Sequence, residues 1–204
     1  MPFLNIFTKV DPSDPSKSEA ELGVEVHPGT DNPVAGPLDF VATWKAMEAL
    51  VDSGKTKAIG VSNFSRRMIE DLIPHTRIPI VVNQVEAHPW YPNTKLREYC
   101  QEKGILLQAY SPFAGQMSSG ETLVKDPVVK ALAKKNAIDV GALLTSWCLQ
   151  KGTNPLGKSS TPERIRSNFL QVKELSEEDM GILDGLQRSP KEGRSIDFSE
   201  AWVS

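Results

Sequence analysis

From Leu38 onward the chain alternates short, uninterrupted apolar runs with stretches whose apolar residues recur every three or four positions, and this alternation constrains the fold more than any other feature. An apolar run reads as a strand covered on both faces, whereas 3–4 spacing reads as one face of a helix. Phe40, Trp44, Met47, Leu50 and Val51 fall on one helical face, and Gly54 suits a left-handed helix end. Ala58–Val61, Ile80–Val85 and Ile105–Tyr110 read as strands. Between them, Ser65 opens a helix carrying Met68, Ile69, Leu72 and Ile73 and stopped by Pro74. Thr94 caps another that carries Leu96, Tyr99 and Cys100 and is closed by Gly104. Asp126-Pro127, Asp139, Thr161-Pro162 and Ser176 start further helices, with an oxygen acceptor at the cap and, twice, proline at the first helical position. The helix after Thr161 takes Ile165, Phe169 and Val172 as its apolar face, and Asn154–Gly157 before it reads as a short strand. Such alternation builds parallel βα units and leaves open a doubly wound sheet or part of a barrel.

Residues 1–38 break the pattern. Pro2, Pro12, Pro15, Pro28, Pro33 and Pro37 stand among Asp, Ser, Gly and Asn, a mixture that favours turns and extended chain. The expectation is an irregular Pro/Ser/Asp-rich arm over 1–38, with Phe3–Phe7 as one short strand, and a succession of βα units over 39–204. A hydrophobic content of 39% is enough for a core, which excludes wholesale disorder. The net charge of −3 gives no drive toward a phosphate backbone, so nucleic acid is not an expected partner. No apolar run approaches the roughly 20 residues of a membrane span. The N-terminus has no basic-then-apolar secretory pattern, so a cytoplasmic protein is expected. Cys100 and Cys148 have neither CxxC nor Cys/His spacing and read as reduced core thiols, with no metal site.

In parallel β/α folds, ligands gather at the carboxyl ends of the strands. There the sequence places Ser62-Asn63, then Asn83-Gln84 followed by Glu86 and His88, then Tyr110-Ser111-Pro112, then Lys158-Ser159-Ser160-Thr161. Taken singly, each has a bland alternative: a turn, a satisfied backbone group, a packed ring, solvated charges. Four in succession make a candidate binding edge. Lys158–Asn168 is the sharpest piece. Lys158, Ser159 and Ser160 precede a helix opened by Thr161-Pro162, with Arg164 and Arg166 inside it. A helix entrance of unpaired N–H groups beside a forked guanidinium and an ammonium suits a phosphate monoester. No glycine-rich phosphate loop is present.

Ala58-Ile59-Gly60-Val61-Ser62-Asn63-Phe64, Asn83-Gln84-Val85-Glu86-Ala87-His88-Pro89, Gln108-Ala109-Tyr110-Ser111-Pro112 and Lys158-Ser159-Ser160-Thr161-Pro162-Glu163-Arg164-Ile165 occur in that order. Together they resemble the aldo-keto reductase superfamily, particularly its fungal polyol, aldose and glycerol-type reductases, over roughly residues 39–204. The resemblance implies a TIM-type (β/α) barrel, of which this chain holds about the last four βα units. It also implies NADP(H) as cofactor and a small aldehyde, ketone or alcohol as substrate. By the same resemblance, Ser62, Asn63 and Gln84 hold the nicotinamide carboxamide, and Tyr110 stacks on its ring. Ser111 and Phe113 line the pyrophosphate. Lys158, Ser159 and Arg164 grip the adenosine 2′-phosphate, with Thr161 nearby and Asn168 on the adenine. Gly157 stands where the family usually has proline, so a looser strand end is expected, and Ser167 where an adenine-contacting glutamate is common, so a lower nucleotide affinity is expected.

The family's proton-donor set is a tyrosine tuned by a lysine and an aspartate, beside a substrate-orienting histidine. None of it is found in this sequence, where residues 1–37 contain no tyrosine. His27, Lys9 and His88 are not expected to replace it. The expectation is therefore an NADPH-dependent reductase by descent, in truncated form. Its alternatives are a catalytically silent NADPH-binding module or a family remnant. Exposed sheet edges, and Trp44, Trp90, Trp147 and Trp202, are expected to need cover from another half, a partner or a second copy.

Overall fold

A computed structural model describes residues 39–115 and 120–195. The expected arm 1–38, with Phe3–Phe7, Lys9 and His27, lies outside the described residues, as does Trp202.

Helix α1 (Phe40–Asp52) begins where the Asp39 carboxylate accepts from the Ala42 amide at 2.8 Å, and ends at Gly54, whose φ of 71° is the left-handed turn expected there. The helix buries Glu48 as well as Trp44. A buried carboxylate must be fully bonded. Glu48 accepts from the amides of Arg77 (2.6 Å) and Ile78 (2.8 Å) and from Trp44 Nε1 (3.1 Å), which fastens α1 to the chain entering the second strand. The Ile78 amide, with the other donors, outweighs burial and holds the Glu48 carboxyl below its ordinary value. The unfolded chain therefore binds this proton more readily, so the stabilisation is full above the ordinary carboxylate range and is lost as pH falls through the lower folded value. Glu48→Gln is expected to flatten the acid limb of a stability-versus-pH curve measured by urea unfolding. An unchanged acid limb would refute that role.

The remaining elements are β1 (Val61–Ser62), α2 (Arg66–Leu72), β2 (Val82–Glu86), α3 (Thr94–Glu102), β3 (Leu106–Tyr110), α4 (Pro127–Lys135), α5 (Val140–Gln150), β4 (Asn154–Pro155), α6 (Pro162–Leu170), α7 (Glu177–Asp184) and the single turn α8 (Pro190–Gly193). The ladder starts later than the apolar runs suggest: β1 and β2 are displaced toward the carboxyl side of Ala58–Val61 and Ile80–Val85. The apolar run marks what is buried, whereas the strand proper begins where paired backbones come into register. Val81 N already bonds Ile59 O at 3.1 Å, and the chains approach so closely that a Cβ on Gly60 would lie 2.5 Å from Val82 O. Thr94 is not the cap of α3. Asn93, at φ 49°, takes that position, and its side-chain amide donates to Glu86 O at 2.7 Å. Thr161 likewise makes no side-chain cap bond.

The four strands are all parallel and lie in the order β1-β2-β3-β4. Each crossover steps one place in the same direction. Right-handed crossovers then put every helix on one face, which is the winding of a barrel rather than of a doubly wound sheet. Burial agrees. Leu107, Ala109 and Val85 are buried on the helix side, whereas Leu106 on the opposite face is 43% exposed. The core gathers around Trp44, Ile69, Leu72 and Ile105 at one end and around Leu143, Leu144, Trp147 and Leu183 at the other.

Two expectations are corrected. Trp44, Trp90 and Trp147 need no cover from another half, because all three are buried by this chain's own residues. In α6 no residue is buried: Ile165 is 54% and Phe169 79% exposed, and Val172 lies past the helix end. The apolar stripe is real in the sequence, but no described residue covers it. Both cysteines are buried and unpaired. Burial pushes both thiols up, Cys148 to about 12, so they stay protonated and inert.

Candidate functional site

Parallel register carries Ser62 opposite Gln84, Gln84 opposite Gln108 and Gln108 opposite Asn154, so one polar row crosses the open face of the sheet near the strand ends. Hydrogen bonds knit the row together. Ser62 Oγ donates to Gln84 O at 2.9 Å, and Gln84 Nε2 donates to Gln108 Oε1 at 2.6 Å. After β1 the chain turns through Asn63 at φ 59°, a conformation asparagine tolerates, with its amide on Gln84 O at 2.9 Å. The turn aims the Asn63 side chain along the edge, where its Oδ1 accepts from the Tyr110 hydroxyl at 3.1 Å and its Nδ2 reaches Ser62 Oγ at 3.4 Å. Ser62, Asn63, Gln84 and Tyr110 thus form one connected group. Burial, with the Glu86 carboxylate nearby, pushes the Tyr110 phenol up to about 12, so it remains a donor rather than an acid near neutrality.

Gln108 has no counterpart among the expected site residues. Its signal was available: it lies two positions before Tyr110, hence on the same face. Asn83, by contrast, faces the helices. It is fully buried, donates to Phe64 O at 2.9 Å and accepts from Phe64 N at 3.3 Å, which braces the turn from behind.

From Tyr110 the edge continues through Ser111, held at φ 48°, to Phe113, whose ring tip would lie 2.8 Å from a Cβ on Gly157. The glycine therefore does not loosen this strand end. It makes room for the ring, where a proline would collide with it. One residue further is Lys158, exposed, then Ser159, whose Oγ accepts from the Thr161 amide at 3.2 Å and shapes the approach to α6. Arg164 lies exposed in the first turn of α6. Asn168, one turn on, packs against Gly141, where any Cβ would strike its Oδ1. Lys158 and Arg164 make no ion pair with any described residue. The edge as a whole runs from a neutral cluster of amides and hydroxyls to a cationic helix entrance.

A separate cleft of about 410 Å³, lined by Asp39, Phe40, Val41, Met68, Asp71 and Leu72, opens between α1 and α2 on the helix side. Its charged groups are carboxylates, so it does not suit an anion. Among the described residues no cluster of His, Cys, Asp and Glu could hold a metal ion, and no helix is long and apolar enough to cross a membrane.

Residues 7–188 match the Aldo/keto reductase family. Among curated proteins, the chain is 48% identical over 138 residues to Aldo-keto reductase family 4 member C11 of Arabidopsis thaliana, covering 65% of this chain and 43% of that one. It is 46% identical over 140 residues to Glycerol 2-dehydrogenase (NADP(+)) of Hypocrea jecorina, covering 67% and 44%. Among solved structures, the Bombyx mori aldo-keto reductase in complex with NADP superposes with a TM-score of 0.72 at 33% identity, over 83% of this chain and 56% of that one. The chain spans about half the length of the curated relatives it matches.

Proposed function

The chain belongs to the aldo/keto reductase family, and from that premise we propose that its strand-end groove binds NADP(H) in the service of carbonyl reduction, aldehydes or ketones becoming alcohols. The observation that carries this reading is the polarity of the groove, with neutral hydrogen-bonding groups at one end and cations unpaired among the described residues at the other. A carboxamide fits the first and a phosphate monoester the second. The solved relative in complex with NADP and the relative whose name carries NADP(+) support the same choice.

In this reading Ser62, Asn63 and Gln84 bind the carboxamide, and the Tyr110 ring, tethered through its hydroxyl to Asn63, supports the nicotinamide face. Ser111 and Phe113 lie along the pyrophosphate. Lys158, Ser159 and Arg164 hold the 2′-phosphate, with Thr161 at the helix entrance and Asn168 toward the adenine. Bound there, NADPH would supply a hydride to the substrate's carbonyl carbon. The two unpaired, buried thiols fit a reducing, cytoplasmic setting.

The alkoxide formed by hydride transfer needs a proton, and three candidate donors are committed elsewhere. Tyr110 is bonded to Asn63, Tyr99 is buried in α3, and His88 is buried with its Nε2 on Glu86 at 2.9 Å. That favours a second reading for these residues, nucleotide binding without turnover. Titration with NADPH, followed by tryptophan quenching, is expected to show saturable binding stronger than for NADH. Absence of quenching by a folded sample overturns the cofactor assignment. Oxidation of NADPH with a panel of aldehydes and ketones then separates the two readings: turnover supports reduction by this chain, and saturable binding without it supports the silent module.

A further inference from the structure

The segment after α7 crosses the carboxyl ends of β2 and β3 and is fastened at defined points. Arg188 N donates to Trp90 O at 3.0 Å, and its guanidinium lies 3.6 Å from the centre of the Trp90 ring. The single turn α8 packs so closely that a Cβ on Gly193 would lie 2.4 Å from Trp90 O. Beyond it, Ser195 donates to Glu86 Oε1 twice, from its amide at 2.7 Å and from its hydroxyl at 2.5 Å. The same oxygen accepts from His88 Nε2 at 2.9 Å. A carboxylate only accepts, so in this contact His88 Nε2 is the donor.

Glu86 sits at the site. It pairs with Tyr110 across the ladder and shares its sheet face, yet it is only 2% exposed. Ser195 lies over it and against the turn after β3, where a Cβ on Gly115 would be 3.5 Å from its hydroxyl. A carboxylate at an open strand end would ordinarily be solvated. Here burial opposes ionisation, and the donors from His88 and Ser195 overcome that cost and hold the carboxyl below its ordinary value. Two of those donors come from 109 residues further along the chain. The placement of the segment and the ionised, buried state of Glu86 therefore depend on each other.

We propose that Glu86 is a positioning residue, a latch that pins Ser195 beside Tyr110 and so closes the nicotinamide end of the groove. The inference rests on the reading of Tyr110 as the nicotinamide platform. It assigns Glu86 and Ser195 no chemistry: His88 Nε2 and the Ser195 hydroxyl each donate a hydrogen bond to the ionised carboxylate and keep their protons, so no nucleophile is activated.

The test compares the full chain with its Glu86→Gln and Ser195→Ala variants, using NADPH and adenosine 2′,5′-bisphosphate, which carries the 2′-phosphate and the adenosine-side 5′-phosphate but lacks the nicotinamide half. Glu86→Gln is expected to speed amide exchange in residues 188–195 and to raise the Kd for NADPH about tenfold, because a bond to a charged acceptor is lost. The Kd for the bisphosphate is expected to stay within about twofold. Ser195→Ala, which leaves the buried charge in place, should move exchange and NADPH affinity the same way by less, and decides the matter if Glu86→Gln does not fold. Equal weakening of both nucleotides, or unchanged exchange, overturns the latch. If the wild-type chain binds both nucleotides and the variants match it, the latch alone is wrong. A folded wild-type chain that binds neither removes the cofactor reading and the latch with it.

Discussion

Replacing Lys158 and Arg164 together by alanine is expected to weaken NADPH binding about 100-fold while leaving NADH binding within about twofold. Both side chains are exposed at the entrance to α6 and have no ion-pair partner among the described residues. Nothing in the free protein is lost when they go, and no carboxylate is stranded. What is lost is the attraction to a group that NADPH carries and NADH lacks. Charge-assisted bonds contribute about 1.5–3 kcal/mol each when well formed. Exposure and salt reduce that, so about tenfold per side chain is the reasonable figure. The remaining affinity should come from the neutral end of the groove and be nearly insensitive to ionic strength, whereas the wild-type preference for NADPH should shrink as salt is raised. Calorimetric titration of both nucleotides at two salt concentrations checks this. Equal losses for NADPH and NADH would mean that the two cations do not meet the 2′-phosphate.

Trp147→Ala is expected to be the most damaging single truncation in the core, costing about 3–5 kcal/mol. Trp147 is 1% exposed in the middle of α5 and packs among Leu143, Leu144 and Leu183. Its Nε1 donates to Asp184 Oδ1 at 2.9 Å, and the other Asp184 oxygen takes Lys151 Nζ at 2.5 Å. One ring therefore fills the gap between α5 and α7 and orients the carboxylate that ties α7 to the end of α5. Removing it leaves a void too large to collapse and an aspartate with one fewer donor. Domains are stable by only about 5–15 kcal/mol, so the variant should unfold at far lower urea than wild type. Trp147→Phe, which keeps most of the volume and loses the bond to Asp184, should recover the larger part. An alanine variant with a near-native midpoint would show that the core sits elsewhere.

Much of the fold was legible because its signals are local. Ser65, Asp126 and Ser176 cap their helices as read from the sequence, since an N-cap needs only a side-chain oxygen and an amide two or three residues on. Gly54, Gly104 and Gly152 take positive φ at helix ends for the same local reason. Strand boundaries were less legible, because the ladder begins only where a neighbour is in register, and no residue of β1 carries information about Val82. The exposure of Ile165 and Phe169 was not legible either: periodicity states which face is apolar but not what lies against it.

The same division runs through the candidate site. The sequence alone determined the kinds of groups available, the order in which the strand ends present them and the charge that gathers at Lys158 and Arg164, because residue type and spacing carry that chemistry without reference to the rest of the chain. Only the tertiary structure decided that Asn63 turns to meet Tyr110, that Gln84 bonds Gln108 while Asn83 braces Phe64, that Gly157 yields its place to Phe113, and that Glu86 is held by Ser195. Each of these is a contact between residues distant in the chain, and such contacts are fixed by register and packing, which no local pattern encodes.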